Sequence, residues 1–148
     1  MIPTSIADAL ARRALDDALR CTLDHFGCQA GTVHVLEDGV LKLRGSVGIP
    51  PQVTAIVETV PIGKGIAGLA AERRAPVTIC NLQTDTSGQA RPGARQTGME
   101  GSLAVPMLDE SGALRGVLGI AKADAYDWPE AETQQVLAVA AEFARHAA

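Results

Sequence analysis

PIGKGIAGLAAERRAPVTICNLQTDTSGQARPGARQTGMEGSLAVPMLDESGALRGVLGIAK, residues 61–122, decides the fold. Gly65 and Gly68 open a helical run over Ile66–Arg74, and Pro76 closes it because proline cannot continue a helix. Val77–Cys80 reads as a short buried strand. Gln83–Gly98 is a polar loop longer than the roughly 12–15 residues beyond which structureless connections become uncommon, and such loops are usually functional or mobile. Glu100–Leu108 and Leu114–Lys122 make an antiparallel hairpin of small and aliphatic residues around Asp109-Glu110-Ser111-Gly112. That order suits a sheet with a roofed pocket beside it.

Upstream, one helix is expected from a Ser5 cap, with Asp8 three residues on, to a stop at Gly27. Its apolar stripe is Ile6, Leu10, Leu15, Leu19, Leu23 and Phe26. Gly31–Glu37 and Val40–Val47 alternate around Asp38-Gly39, a pair that tolerates the positive φ of a type I′ hairpin turn. A short helix is expected over Gln52–Glu58. Downstream, Asp127 is placed to cap a last helix with Pro129 in its first turn, and Val136, Val139, Ala140, Phe143 and Ala147 share one face. The resulting order, α-β-β-α-α-β-loop-β-β-α, describes an α+β domain.

The chain has 148 residues, 47% hydrophobic and 20% charged, which fits one globular domain over residues 1–148 with a real core. Its formal charge of −4 offers no long-range attraction to phosphate backbones. Phe26, Tyr126, Trp128 and Phe143 are the whole aromatic inventory, too little for base stacking, so nucleic acid is not an expected partner. Cys21, Cys28 and Cys80 form no CxxC pair, so no zinc site is expected, and their scatter fits a reducing cytoplasm. On a continuous helix Cys21 and Cys28 would stand about 10.5 Å apart, too far for a disulfide, and only a bend at Gly27 would bring them within reach. The N-terminus shows no signal peptide. No apolar run approaches the ~18 residues of a membrane span.

GKGIAGLAAERRAPVTICNLQTD, then GMEGSLAVPM, GALRGVLGIAK and YDWPEAE, together resemble a GAF domain, a sensor module of bacterial signalling proteins. The matching positions are Gly65, Gly68 and Asp85, then Ser102, Val105, Pro106 and Met107, then Gly116, Val117 and Leu118. The likeness runs from about Ala7 to Ala144. It implies a GAF-like, profilin/PAS-like architecture: a central antiparallel sheet of five to six strands with helices on both faces. The first and last helices would pack on one face, and the Gln83–Gly98 loop would roof a pocket on the other. It further implies a small-molecule ligand, frequent dimers through the terminal helices, and an output domain (kinase, cyclase or transcription regulator) in a longer protein or in trans. Known family ligands include cyclic nucleotides, tetrapyrroles, haem, nitrate and 2-oxoacids, and one branch reduces free methionine sulfoxide.

Several motifs carry two readings. Gly63-Lys64-Gly65-Ile66-Ala67-Gly68 satisfies G-x-G-x-x-G, but no parallel βαβ unit surrounds it, so close helix packing is the expected role of its glycines. Cys80 ends a strand beside the polar loop: either a reactive thiol, if Arg91 or Arg95 depresses its pKa, or a small buried hydrophobe. The reductase branch carries a redox cysteine just before the strand that here holds Ser102, where this chain has Thr97-Gly98-Met99-Glu100-Gly101. That departure favours a non-enzymatic module. Asn81 and Asp85 match parts of a cyclic-nucleotide signature that lacks its Lys and Phe here, and the aromatics are too few for a large chromophore. His25, His34 and His146 read as surface or sheet-face residues. Arg91 and Arg95 make the loop locally basic, so they either grip a carboxylate or phosphate or pin the loop through Asp85. Ser102/Ala104 and Gly116/Gly119 leave space for a ligand or for a helix. Ile6, Leu10 and Ala14 form a second apolar edge, a candidate dimer seam.

The expected function is a cytoplasmic, homodimeric sensory domain. It would bind a small molecule, an anion being one candidate, through Cys80, Asp85, Arg91, Arg95 and Ser102, with no cofactor assigned. A thiol-dependent reductase using Cys80 and a purely structural dimerisation domain are the alternatives.

Overall fold

Alternation in two hairpins sets the architecture. The structure, a computed structural model, describes residues 2–90 and 92–147. Strands β1 (Ala30–Glu37) and β2 (Val40–Val47) are joined by Asp38 and Gly39 at φ 52° and 79°, the two positive values a type I′ turn requires. Three more strands are β3 (Thr59–Pro61), β4 (Val77–Ile79) and β5 (Gly101–Leu108), and β6 (Leu114–Lys122) follows after the Asp109 turn. In that turn Asp109 Oδ1 accepts hydrogen bonds from the Ser111 amide and hydroxyl and from the Ala113 amide. All neighbouring strands are antiparallel, in the order β3-β2-β1-β6-β5-β4. Five α-helices cover the faces: α1 (Thr4–Ala11), α2 (Leu15–Phe26), α3 (Pro51–Val57), α4 (Gly65–Arg73) and α5 (Glu130–Arg145). The expected α+β sheet therefore holds, with six strands.

Four local expectations need correction. The N-terminal helix is two helices, because the chain turns at Arg13 in the left-handed region (φ 58°). The Arg13 amide donates to the Leu10 carbonyl and the Ala14 amide to that of Ala9, the paired bonds of a Schellman stop. Neither Ser5 nor Asp127 caps a helix. Pro3 and Pro129 occupy those positions in extended conformation, and their carbonyls take the first helical bonds. The strand β3 was hidden by Pro61, which is tolerated because it ends an edge strand where no amide donor is needed. Lastly, part of the polar loop forms a 3-10 helix at Pro92–Thr97.

The two sheet faces carry separate cores. Val33, Leu103, Val105, Met107, Leu118 and Ile120 pack against α1, α2 and α5. On the other face Leu41, Ala104 and Val117 meet Val60, Ala70, Ala71 and Val77, beneath α4. Ile6 and Leu10 are buried inside the first core, so two of the three residues of the seam expected at Ile6, Leu10 and Ala14 are consumed within the protomer, while Ala14 is half-buried. At the end of β6, Lys122 Nζ donates to the Phe26 carbonyl at the end of α2, 2.8 Å away, and lies 4.3 Å from the Tyr126 ring centre. This satisfies an orphan helix carbonyl with a cation and fixes the connector to α5.

Candidate functional site

Period-two alternation places Ala30, Thr32 and His34 of β1, Ser102 and Ala104 of β5, and Gly119 and Ala121 of β6 on the face away from the first core. These side chains are short. Above them the chain builds a roof from α3 (Val53, Ile56, Val57), the start of α4, Leu82 and the loop residues Ala90, Gly93, Ala94 and Thr97. The two halves of the roof touch where Gly93 meets Ile56: a Cβ on Gly93 would lie 3.2 Å from Ile56 Cδ1. Between floor and roof lies a cavity of about 140 Å³. None of the chain's Phe, Tyr or Trp side chains lines it.

His34 is the chemical centre of this wall, buried to 2% exposure. Its Nε2 donates to the Val57 carbonyl at 2.8 Å. A carbonyl only accepts, so Nε2 carries the proton. That bond satisfies the free carbonyl at the end of α3 and ties the roof to the sheet. Burial pushes the imidazole pKa down from 6.5, with the Val57 bond partly opposing, so the ring is neutral and Nδ1 is a bare acceptor. Nδ1 is buried and has no hydrogen-bond partner, at a cost of about 1–3 kcal/mol. Next to His34, β2 carries an extra residue: Val33 pairs with Gly45 but His34 with Leu43. Such bulges re-aim side chains.

Because the folded-state pKa lies below the unfolded one, protonation favours unfolding. Stability is then fully present above about pH 6.5 and declines as pH falls from there through the depressed folded value. Lys64 is the only other titratable group on the described wall, and no carboxylate faces the ring there. Thermal melts from pH 8 down to about 5 should show this decline, and His34→Leu should flatten it. An unchanged slope in the variant would assign the decline to other groups.

The sequence-predicted residues divide. Ser102 is buried and lines the cavity. Arg95 pins the loop, its guanidinium donating to the Asp85 main-chain carbonyl at 3.1 Å, while Gln83 Nε2 reaches the carbonyls of Arg95 and Met99. Asp85 accepts from the Ser87 hydroxyl. Neither Asp85 nor Arg95 is part of the cavity wall. Arg91 lies outside the described residues. Cys80 is exposed rather than a buried hydrophobe, and it is not on the wall. Hydrogen bonding to the Asp127 carboxylate pushes its thiol pKa up, opposite to the arginine-driven depression that a reactive thiol needs. Cys28 is buried, and desolvation raises its pKa to about 11.

Gly63, Gly65 and Gly68 do not form a dinucleotide fingerprint, since the preceding β3 is an antiparallel edge strand. Gly68 instead brings α4 against it: a Cβ there would lie 2.5 Å from the Pro61 carbonyl oxygen. A second cavity of about 240 Å³ opens on the helix-covered face. Two of its three basic groups, Arg44 and His146, already pair with Glu37 and Glu142. Among the described residues no cluster of His, Cys, Asp or Glu is placed to hold a metal ion, and no helix is long and apolar enough to cross a membrane.

Residues 7–146 match the family model described as GAF domain. No curated protein matches the sequence significantly. Among solved structures, the GAF domain region of a putative membrane protein from Geobacter sulfurreducens superposes with a TM-score of 0.77 at 16% identity, covering 95% of this chain and 94% of that one. The GAF domain from a phosphoenolpyruvate-protein phosphotransferase of Coxiella burnetii gives 0.75 at 20% identity, over 95% and 89%. The free methionine-R-sulfoxide reductase from Neisseria meningitidis gives 0.76 at 16% identity, over 95% and 83%. At these identities the likeness is one of fold.

Proposed function

The chain belongs to the GAF domain family, and on that basis we propose that it is a non-enzymatic sensory module holding a small molecule in the His34 cavity. The observation that carries this reading is a roofed, largely apolar hollow over the short side chains of Thr32, Ser102 and Ala104, the usual form of a ligand site. Arg95, Asp85 and Gln83 act as pins that hold the loop over the occupant. Ser102 and Ala104 face the cavity while Leu103 and Val105 face the helix core. One strand thus touches both the ligand and the packing of α5. A ligand that favours the pinned loop shifts the helix equilibrium by its difference in affinity for the two states.

The protein works in the cytoplasm in this reading, consistent with free Cys21 and exposed Cys80. It acts on an output domain in the same chain or in trans. A homodimer through the terminal helices would use the outer faces of α2 and α5, since Ile6 and Leu10 are occupied. Native mass spectrometry of protein purified from its source reads retained ligand and oligomeric state together. Hydrogen exchange with and without that ligand should slow at residues 83–98 and change at α5. Exchange that changes only at the loop would remove the signalling part.

The reductase reading is tested at Cys80. Free methionine sulfoxide incubated with the protein and a dithiol should show no turnover above the protein-free blank. The raised thiol pKa and the absence of cysteine from Thr97–Gly101 support that expectation. Turnover that Cys80→Ser abolishes would replace the sensor reading with catalysis.

A further inference from the structure

The cavity floor offers an occupant two separate hydrogen-bonding groups in an otherwise aliphatic space. Among the polar side chains of the described wall, Thr97 spends its hydroxyl on the Ala94 carbonyl and His34 spends Nε2–H on Val57. His34 Nδ1 is sealed from the cavity. The hydroxyls of Thr32 and Ser102 remain: neither has a hydrogen-bond partner among the described residues, and neither is sealed in. Strand register sets their separation. Thr32 pairs with Gly119 on one side of β6, and Ser102 pairs with Ala121 on the other. Two strand spacings across and two residues along put their Cα atoms about 12 Å apart. Gly119 places no side chain between them, and Thr32 Oγ1 stands 3.0 Å from where its Cβ would be. A single ligand atom cannot reach both hydroxyls at hydrogen-bond distance. Two atoms at opposite ends of a small ring can.

We propose that the occupant is an uncharged molecule about the size of one six-membered ring, apolar around its middle, with a hydrogen-bonding group at each of two opposite ends, one meeting Thr32 and the other Ser102. The cavity volume, about 140 Å³, is far below the roughly 300–1,000 Å³ of pockets for drug-sized ligands. It is close to the apolar cavity of about 150 Å³ that accepts benzene in an engineered protein. The described wall carries no carboxylate, and its single charged side chain, Lys64, is solvent-exposed. Desolvating an ion against such a wall is unfavourable unless it is paired. A hydroxyl both donates and accepts, so an alcohol or a carbonyl suits either end. The inference rests on the cavity being the sensor site, and it adds to that reading the ligand's charge, size and two-ended form.

Titration calorimetry on the full chain with trans-1,4-cyclohexanediol, toluene and sodium benzoate tests it, in the unmodified protein and in the near-isosteric variants Ser102→Ala and Thr32→Val. The diol should bind, and each variant should weaken it about tenfold by leaving one ligand hydroxyl unpartnered. Toluene, which uses neither hydroxyl, should bind the variants at least as tightly as the unmodified protein, and benzoate should bind weakest. Diol affinity that falls in one variant alone, or in neither, overturns the two-ended class. An equal loss of toluene in the same variants overturns it too, because the hydroxyls would then act on the cavity's shape. Benzoate binding more tightly than the diol overturns the lack of charge, and binding by none of the three overturns the class. The sensor site itself is read separately: a small molecule retained in native mass spectrometry and lost in Ser102→Leu upholds the cavity whichever probe fails.

Discussion

Replacing Gly116 by valine is expected to destabilise the protein by about 3 kcal/mol or more, the upper end for overpacking a core. A Cβ at this position would lie 2.0 Å from the His34 carbonyl oxygen and 3.1 Å from the Val35 Cα. Both are backbone atoms of β1, the central neighbour of β6, so no rotamer change relieves the clash. Gly119, on the same strand, offers the contrast: its Cβ would meet the Thr32 hydroxyl at 3.0 Å, and a hydroxyl on a rotatable side chain can move aside. Gly119→Ala should therefore cost much less. Chemical denaturation gives both numbers, and Gly116→Val should also melt about 10 °C lower at about 3 °C per kcal/mol. A loss under about 1 kcal/mol would mean that β1 and β6 separate readily at this point.

Ser102→Leu should remove small-molecule binding by about a hundredfold or more while leaving the fold intact. Ser102 is buried on the cavity floor, and leucine puts a carbon in place of the hydroxyl and two further methyl groups beyond it into a space of about 140 Å³. Each methylene newly buried against apolar walls is worth about 0.8 kcal/mol. Rotamer strain offsets part of that, so a net gain of about 1 kcal/mol is expected. The paired signature of higher melting temperature and lost ligand binding separates filling from disruption, which would lower both. Unchanged binding would place the ligand elsewhere, with the larger cavity beside Arg13 and Arg44 the next to examine.

Much of the fold was legible because its signals are local. Asp38-Gly39 needs only its own backbone freedom to make a turn, and the alternation of β5 and β6 needs only its neighbours. The glycine-opened α4 also reads directly, since Gly65 begins the helix as its position suggested. The site was less legible because it depends on contacts distant in sequence. His34 is one polar residue in an alternating strand until Val57, in a different element, accepts a hydrogen bond from its Nε2–H. A signal was nevertheless present: Thr32 and His34 share the strand face opposite Val33, so that face was never purely core. Charge drew attention instead to Arg95 and Asp85, whose main-chain and side-chain bonds stay within the loop. The environment of Cys80 was hidden for a related reason, since the neighbour that sets its thiol, Asp127, lies beyond β6. The bend at Arg13 was hidden because an arginine gives no sign of left-handed backbone, as a glycine would have.

Both borders of the sheet, β3 and β4, are only three residues long, and one of them ends in proline. A partner chain seeking main-chain hydrogen bonds finds almost no template there. Modules strung in tandem sit at high local concentration, where strand exchange between repeats is the ordinary route to misassembly. A domain with such abbreviated margins can be duplicated or fused to new neighbours and still close on itself.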